Sequence, residues 1–137
     1  IEATAFGTRR IFDAYKEQGI PLNEAVVCGG LTKDPFILQT YADVLGVPVK
    51  VAASNQAVAL GAAIFGALAA GSQQGGYDDA ETAVVRMTRP ATRTYQPDPS
   101  TTEAYKTLYA TYLAAHDFFG RQKPELMANL KTLRRHS

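Results

Sequence analysis

The residues best placed to do chemistry are a glycine pair, Gly29-Gly30, that follows the run Ala25-Val26-Val27-Cys28 and precedes Leu31-Thr32-Lys33-Asp34-Pro35-Phe36. Glycine has no Cβ and reaches positive φ at little cost, so such a bend lets a ligand approach the peptide plane itself. A helix begins just beyond it, offering unpaired N–H groups and a partial positive charge that favour phosphate oxygens. Four small or β-branched apolar residues before the bend predict a short parallel strand buried on both faces. Ligands of open α/β sheets collect beyond the carboxyl ends of such strands.

Other candidate chemistry is thin. His116 and Asp117 are neighbours in sequence, and adjacent helical residues are expected not to face each other, so no acid/base pair is predicted there. No G-x-x-x-x-G-K-[ST] phosphate loop is present: Gly61 and Gly66 have the glycine spacing, but Ala67-Leu68 follow and both lie in an apolar segment. No G-x-G-x-x-G opens a dinucleotide fold, and no Cys/His cluster has zinc-ligand spacing. The chain therefore carries no catalytic residue and no metal ligand of its own.

The elements that must position the bend follow from periodicity. Ala3, Phe6, Ile11, Phe12 and Tyr15 share one side of a helix over residues 2–18 that Gly19 stops, and Gly7 inside it predicts close packing. Phe36, Ile37, Tyr41, Ala42 and Leu45 define a helix over residues 35–45 ended by Gly46. Val47-Pro48-Val49-Lys50-Val51 is a second strand, placed at the outside of the sheet by Pro48. Ser54 or Asn55 caps a helix through Gly71 that is apolar nearly all round and should be covered on more than one side. Two strands do not make a stable sheet. Val84-Val85 or Thr92 to Tyr95 are alternatives for the third, and a strand from outside the chain is the favoured source.

Residues 71–79 read as a flexible loop, with Asp78 or Asp79 capping a short helix carrying Ala83, Val84 and Met87. Pro90, Pro97 and Pro99 mark an extended crossing segment over residues 88–101. Tyr105, Leu108, Tyr109, Tyr112, Leu113 and His116 then form an aromatic stripe read as a docked core face. The alternation of helix and strand predicts an α/β fold, with residues 1–88 as one layered unit and residues 89–137 as a crossing segment plus helices docked on it.

Composition excludes several function classes. Lys and Arg number 14 against 13 Asp and Glu, so there is no field to recruit nucleic acid or an anionic membrane. The basic stretch from Lys131 to His136 lacks stacking aromatics and does not change that expectation. Residues 57–70, the most apolar segment, are shorter than the ~20 needed to span a bilayer. A lone Cys28 excludes an internal disulfide and reads as a small buried residue closing the strand. The first residue is Ile1 and no secretory leader is present, so the chain reads as part of a longer, cytoplasmic protein.

Several short motifs, in order, resemble the C-terminal part of the FGGY family of carbohydrate kinases. They are residues 2–9 (EATAFGTR), Cys28-Gly29-Gly30-Leu31, Gln39 with Ala42-Asp43, and Ala52-Ala53-Ser54 with Gln56 and residues 59–63 (ALGAA). The tail, with Pro97-Asp98-Pro99, Tyr105, Leu108-Tyr109, Tyr112 and residues 116–121 (HDFFGR), looks most like the branch that phosphorylates L-ribulose. The resemblance implies part of an actin-like (ribonuclease H-like) ATPase domain, helix-rich with a small parallel or mixed sheet and a C-terminal helical extension. It also implies that Gly29 and Gly30 lie against the α-phosphate and adenosine of ATP, with Leu31 and Thr32 bordering the nucleotide. Where relatives often carry an Asn that meets the adenine amino group, this chain has Asp34, whose carboxylate accepts from that amino group but cannot donate to a ring nitrogen.

The implied parent reaction transfers the γ-phosphoryl of Mg-ATP to a primary hydroxyl of a ketopentose, a step of arabinose catabolism. Its catalytic base, its sugar contacts and most of its Mg2+ ligands lie in an N-terminal lobe outside these residues, so the chain alone is expected to be inactive. A different polyol or ketose kinase of the same family is one alternative. A non-catalytic actin-like interaction module is the other. Self-association is left open.

Overall fold

The computed structural model describes the backbone of residues 1–135 and the side chains of residues 1–129. The charged side chains of the 131–136 stretch thus lie outside the described residues. Six helices alternate with three short strands: α1 (Glu2–Glu17), β1 (Ala25–Val27), α2 (Pro35–Leu45), β2 (Val49–Val51), α3 (Ala57–Ala70), α4 (Ala80–Met87), β3 (Arg93–Tyr95), α5 (Pro99–Asp117) and α6 (Pro124–Arg135). A short π-helical turn, Phe118–Gln122, joins α5 to α6.

The helix boundaries follow local chemistry. Gly19 sits at φ 77° and its N–H, with that of Ile20, caps the last carbonyls of α1. Asp34 caps α2, its Oδ1 accepting from the Phe36 N–H at 2.9 Å, with Pro35 in the first turn. Gly46 closes the same helix in the left-handed conformation, φ 67°. Asp79 caps α4 through the Thr82 N–H at 2.8 Å. Asp98 caps α5, which starts at Pro99, so the crossing segment is shorter than the prolines suggested.

The sheet order is β1-β2-β3, with β1 and β2 parallel and β2 and β3 antiparallel. This corrects two expectations. β2 is the central strand, because Pro48 precedes its first residue and only its carbonyl is used, accepting from the Ala25 N–H at 2.9 Å. The third strand comes from the chain itself, Arg93–Tyr95 pairing with Val51–Val49. Proline suppresses strand signals nearby, and tertiary pairing decided the matter.

One sheet face is packed and the other is open. Leu38, Ala42 and Leu45 of α2 cover Val49 and Val51, joined by Ala25, Val27, Phe12 and Tyr95. A second cluster joins Ala5 and Phe6 of α1, Val44 of α2 and Tyr109 of α5. Phe6 meets the rings of Tyr105, Tyr109 and Tyr112 at 5.5–5.9 Å, so the aromatic stripe is a docked core face. Gly7 faces this stripe, but a Cβ there would make an ordinary contact with the Tyr112 hydroxyl at 3.7 Å, so the packing does not require the glycine that suggested it.

On the opposite face the burial expectations fail. Val26 is 64% exposed, so β1 is an edge strand covered on one side rather than an interior strand. Helix α3 packs mainly alongside α4 and buries no residue, with Val58 83% and Phe65 74% exposed. Its composition demands cover that these residues do not supply. No described helix is long and apolar enough to cross a membrane.

Candidate functional site

The glycine bend opens onto a cleft of about 540 Å3 at the carboxyl ends of the two parallel strands. Cys28, Gly29 and Gly30 supply the wall after β1, and Ala52, Ala53, Ser54 and Asn55 the wall after β2. Thr92 and Arg93 close the third side. Cys28 is exposed, correcting the expected buried thiol: β1 ends at Val27, and the chain has left the packed face one residue later.

Gly29 has φ 88° and ψ −161°, a conformation reserved for glycine. Gly30 has an ordinary φ, and neither glycine has a heavy atom within 4 Å of where a Cβ would stand. The bend is therefore unobstructed. The chain does not pass straight into α2, however, because a 3-10 turn, Gly30–Lys33, intervenes. That turn is held by Thr32, whose Oγ1 and N–H both donate to the Gly29 carbonyl, at 2.7 and 3.2 Å.

The proposed contact residues divide into two groups. Gly29, Gly30 and Thr32 line the cleft, whereas Leu31, 56% exposed, and Asp34, also exposed, stand outside it. Asp34 has one carboxylate oxygen committed to the N-terminus of α2. Residue types along the sequence did not single out Lys33, Asn55, Thr92 or Arg93 for this cleft. Arg93 had no local signal at all, since its place depends on β3 pairing with β2; its Nη2 donates to the Thr32 carbonyl at 2.7 Å.

Electrostatically the cleft is one-signed. Lys33 and Arg93 line it and no carboxylate does. That donor set fits an anion and suits phosphate oxygens. It does not fit a divalent metal, and no group of three or more His, Cys, Asp or Glu that could hold one occurs among the described residues.

A second charged cleft, about 430 Å3, lies between α1 and α5 and is lined by Arg10, Asp13, Lys16, Glu17, Asp117 and Arg121. Its charges are mixed and largely paired, Arg10 with Glu17 at 3.0 Å and Arg121 with Asp117 at 3.5 Å. His116 Nδ1 lies 3.2 Å from Asp117 Oδ1, so these neighbours do touch, contrary to the expectation from helical spacing. The backbone at Asp117 is still right-handed helical, so the contact is one between the two side chains at the end of α5 rather than a product of altered winding. Both are nearly half exposed, and no nucleophile lines the adjoining cleft.

Residues 1–70 match the FGGY family of carbohydrate kinases, C-terminal domain. A ribulokinase of Bacillus licheniformis is 47% identical over 135 residues, 98% of this chain and 24% of the relative. Among solved structures, a xyloylose kinase from Brucella ovis superposes with TM-score 0.69 at 28% identity, covering 93% of this chain and 24% of that one. A Plasmodium falciparum glycerol kinase with ADP superposes with TM-score 0.63 at 20% identity, over 84% and 22% respectively. The chain thus spans about a quarter of the length of the relatives it matches. The three-stranded mixed sheet with its helices is a portion of the actin-like ATPase fold of these sugar kinases. With its first 70 residues matched and the same architecture in its structural neighbours, the chain belongs to the FGGY family of carbohydrate kinases, as part of the C-terminal domain.

Proposed function

We propose that this chain is the C-terminal part of a ribulokinase-like, ATP-dependent sugar kinase and supplies the adenosine side of its nucleotide site. The observation that carries the proposal is the unobstructed Gly29-Gly30 bend, set on a cleft with two basic and no acidic side chains at the carboxyl ends of two parallel strands. The 47% identity to a ribulokinase supports L-ribulose as the acceptor, and the glycerol kinase with ADP supports an adenine nucleotide as the ligand.

In this proposal residues 1–88 form a portion of the nucleotide-binding domain and residues 89–137 dock on it. The bound nucleotide supplies the γ-phosphoryl group, and magnesium, held by other parts of the enzyme, neutralises its charge. The residues described here bind and orient. Gly29 and Gly30 present bare backbone to the α-phosphate and ribose, Leu31 offers an apolar edge, Thr32 keeps the turn closed, and Asp34 accepts from the adenine amino group with its remaining oxygen. Phosphoryl transfer depends on positioning and charge more than on protein covalent chemistry, so a lobe of this kind contributes without a catalytic side chain. Alone, the 137 residues have no kinase activity, because the acid that accepts the sugar hydroxyl proton lies in the other lobe.

The test uses the full-length polypeptide carrying this chain, assayed with ATP against a panel of ketoses and polyols, alongside its Gly30→Val variant. L-ribulose is expected as the preferred acceptor. Gly30 has space for a side chain without strain, so valine leaves the fold intact and places methyl groups against the ligand. ADP binding should fall at least about tenfold, the scale of one lost close contact to phosphate. Unchanged ADP affinity in Gly30→Val would sink the assignment of the bend.

A further inference from the structure

We propose that Arg93 and Lys33 form a cation pair that holds the phosphate chain of the nucleotide, making β3 part of the nucleotide site. The proposal rests on the adenosine-site assignment of the glycine bend, and adds to it residues and a strand that this assignment does not require.

Arg93 lies outside residues 1–70, the part matched to the family's C-terminal domain, and reaches the bend only through the antiparallel pairing of β3 with β2. Two of its contacts fix the guanidinium. Nη2 donates to the Thr32 carbonyl at 2.7 Å and Nη1 to the Tyr95 hydroxyl at 3.4 Å. A guanidinium has five N–H groups in a planar fork, so three remain for a ligand once these two are used. No carboxylate pairs with Arg93 or with Lys33 among the described residues, and none lines the cleft, so both charges are uncompensated where they flank Gly29 and Gly30.

Uncompensated charges on a shared cleft disfavour each other, and an anion relieves this. A phosphate chain fits better than a carboxylate because the wall it would touch is backbone, Gly29-Gly30, with Ser54 and Asn55 opposite. Arg93 is already anchored through Thr32, so little side-chain freedom is lost when the anion arrives. The same hydrogen bond ties the closing strand to the turn that carries the glycines. The pair therefore selects for the charged end of the nucleotide and is indifferent to the base.

The experiment compares ADP with adenosine, in magnesium-free buffer, by calorimetric titration of the full-length polypeptide and its Arg93→Met, Arg93→Lys and Lys33→Met variants. Arg93→Met should weaken ADP about tenfold, the scale of a charge-assisted hydrogen bond, and adenosine less than about twofold. Arg93→Lys, which keeps the charge and loses the fork, should recover most of the ADP affinity. Lys33 is exposed on the 3-10 turn and its removal leaves the fold intact, so Lys33→Met should weaken ADP selectively even where Arg93→Met fails to fold. In both methionine variants the salt dependence of ADP binding should flatten. Equal losses for ADP and adenosine, or unchanged ADP affinity in Lys33→Met and in any folded Arg93→Met, overturn the cation pair. If those variants are unchanged while Gly30→Val loses ADP, the bend assignment survives; if Gly30→Val is also unchanged, both proposals fall.

Discussion

The hydroxyl of Tyr109 on α5 donates to the Asp13 carboxylate on α1 at 2.6 Å, across 96 residues of sequence. The Arg9 guanidinium lies over the same ring, 4.3 Å from its centroid, and its Nη1 donates to the Val44 carbonyl of α2 at 3.1 Å. Three helices are thereby stapled at one buried tyrosine, in a cluster separate from the one that covers the sheet. Burial first, and the bond to Asp13 second, push the Tyr109 hydroxyl well above its ordinary value of 10.0.

The sign of the resulting pH dependence follows from linkage. The folded state holds the Tyr109 proton more tightly than the unfolded chain does, so its contribution is fully present below pH 10 and is lost as pH rises above that. Tyr105, raised by burial and then by its bond to Glu2, acts in the same direction. Unfolding in denaturant should show a stability plateau at neutral pH and a decline beginning near pH 10. Tyr109→Phe should lower the plateau by about 1–2 kcal/mol and make the alkaline decline shallower. A decline as steep as in the parent would contradict the raised tyrosine.

Glycine substitutions separate packing from ligand access. A Cβ at Gly76 would overlap the carbonyl of Ala67, whose oxygen accepts from the Tyr77 N–H at 3.1 Å, so the backbone there cannot give way. Gly76→Ala should cost more than about 2 kcal/mol. Gly29→Ala meets no neighbour but is strained by its φ of 88°, at about 1–3 kcal/mol. Gly30→Ala should lie within about 0.5 kcal/mol of the parent, because neither space nor φ opposes it. Thermal melting of the three variants tests this order.

At Asp34 the capping and adenine roles can be parted. Asparagine is as good a helix cap as aspartate, so Asp34→Asn should leave the melting temperature unchanged, whereas Asp34→Ala removes the acceptor for the Phe36 N–H and costs about 1 kcal/mol. If the side chain meets the adenine edge, Asp34→Asn keeps its one oxygen on the cap and turns an NH2 group, which cannot accept, toward the adenine amino group, so ADP should weaken relative to GDP. An unaltered ratio in a competition titration would place the base elsewhere.

Helix α3 should betray its exposed face in the isolated 137-residue chain. A dye that fluoresces on apolar surface should bind strongly, and Val58→Gln with Phe65→Gln should reduce the signal by at least half while leaving helix content intact, since both side chains are exposed and bury nothing. An unchanged signal would mean that the apolar surface resides elsewhere.

Much of this was legible in residue order. Caps and stops are local chemistry, so Gly19, Gly46 and Asp79 mark their helix ends directly, whereas α3 starts after Gln56 with no side-chain cap rather than at Ser54 or Asn55. The glycine bend was legible too, as was the tyrosine stripe, because a three- and four-residue period is itself the geometry of a helix face. Periodicity misled where burial depends on neighbours: Val26, Cys28 and α3 are apolar or small by type, yet exposed because nothing in these residues covers them.

What the sequence determined by itself, then, is the set of helices, the glycine bend and the family to which its motifs are similar, all of them properties of neighbouring residues. Strand order was decided only in three dimensions. Pro48 argues locally for an edge, yet β2 became the centre once Arg93–Tyr95 folded back onto it, a pairing between segments about 40 residues apart that no local pattern encodes. The same pairing brought Arg93 to within a hydrogen bond of Thr32, because hydrogen bonds of a sheet are made between segments that only the folded chain brings together.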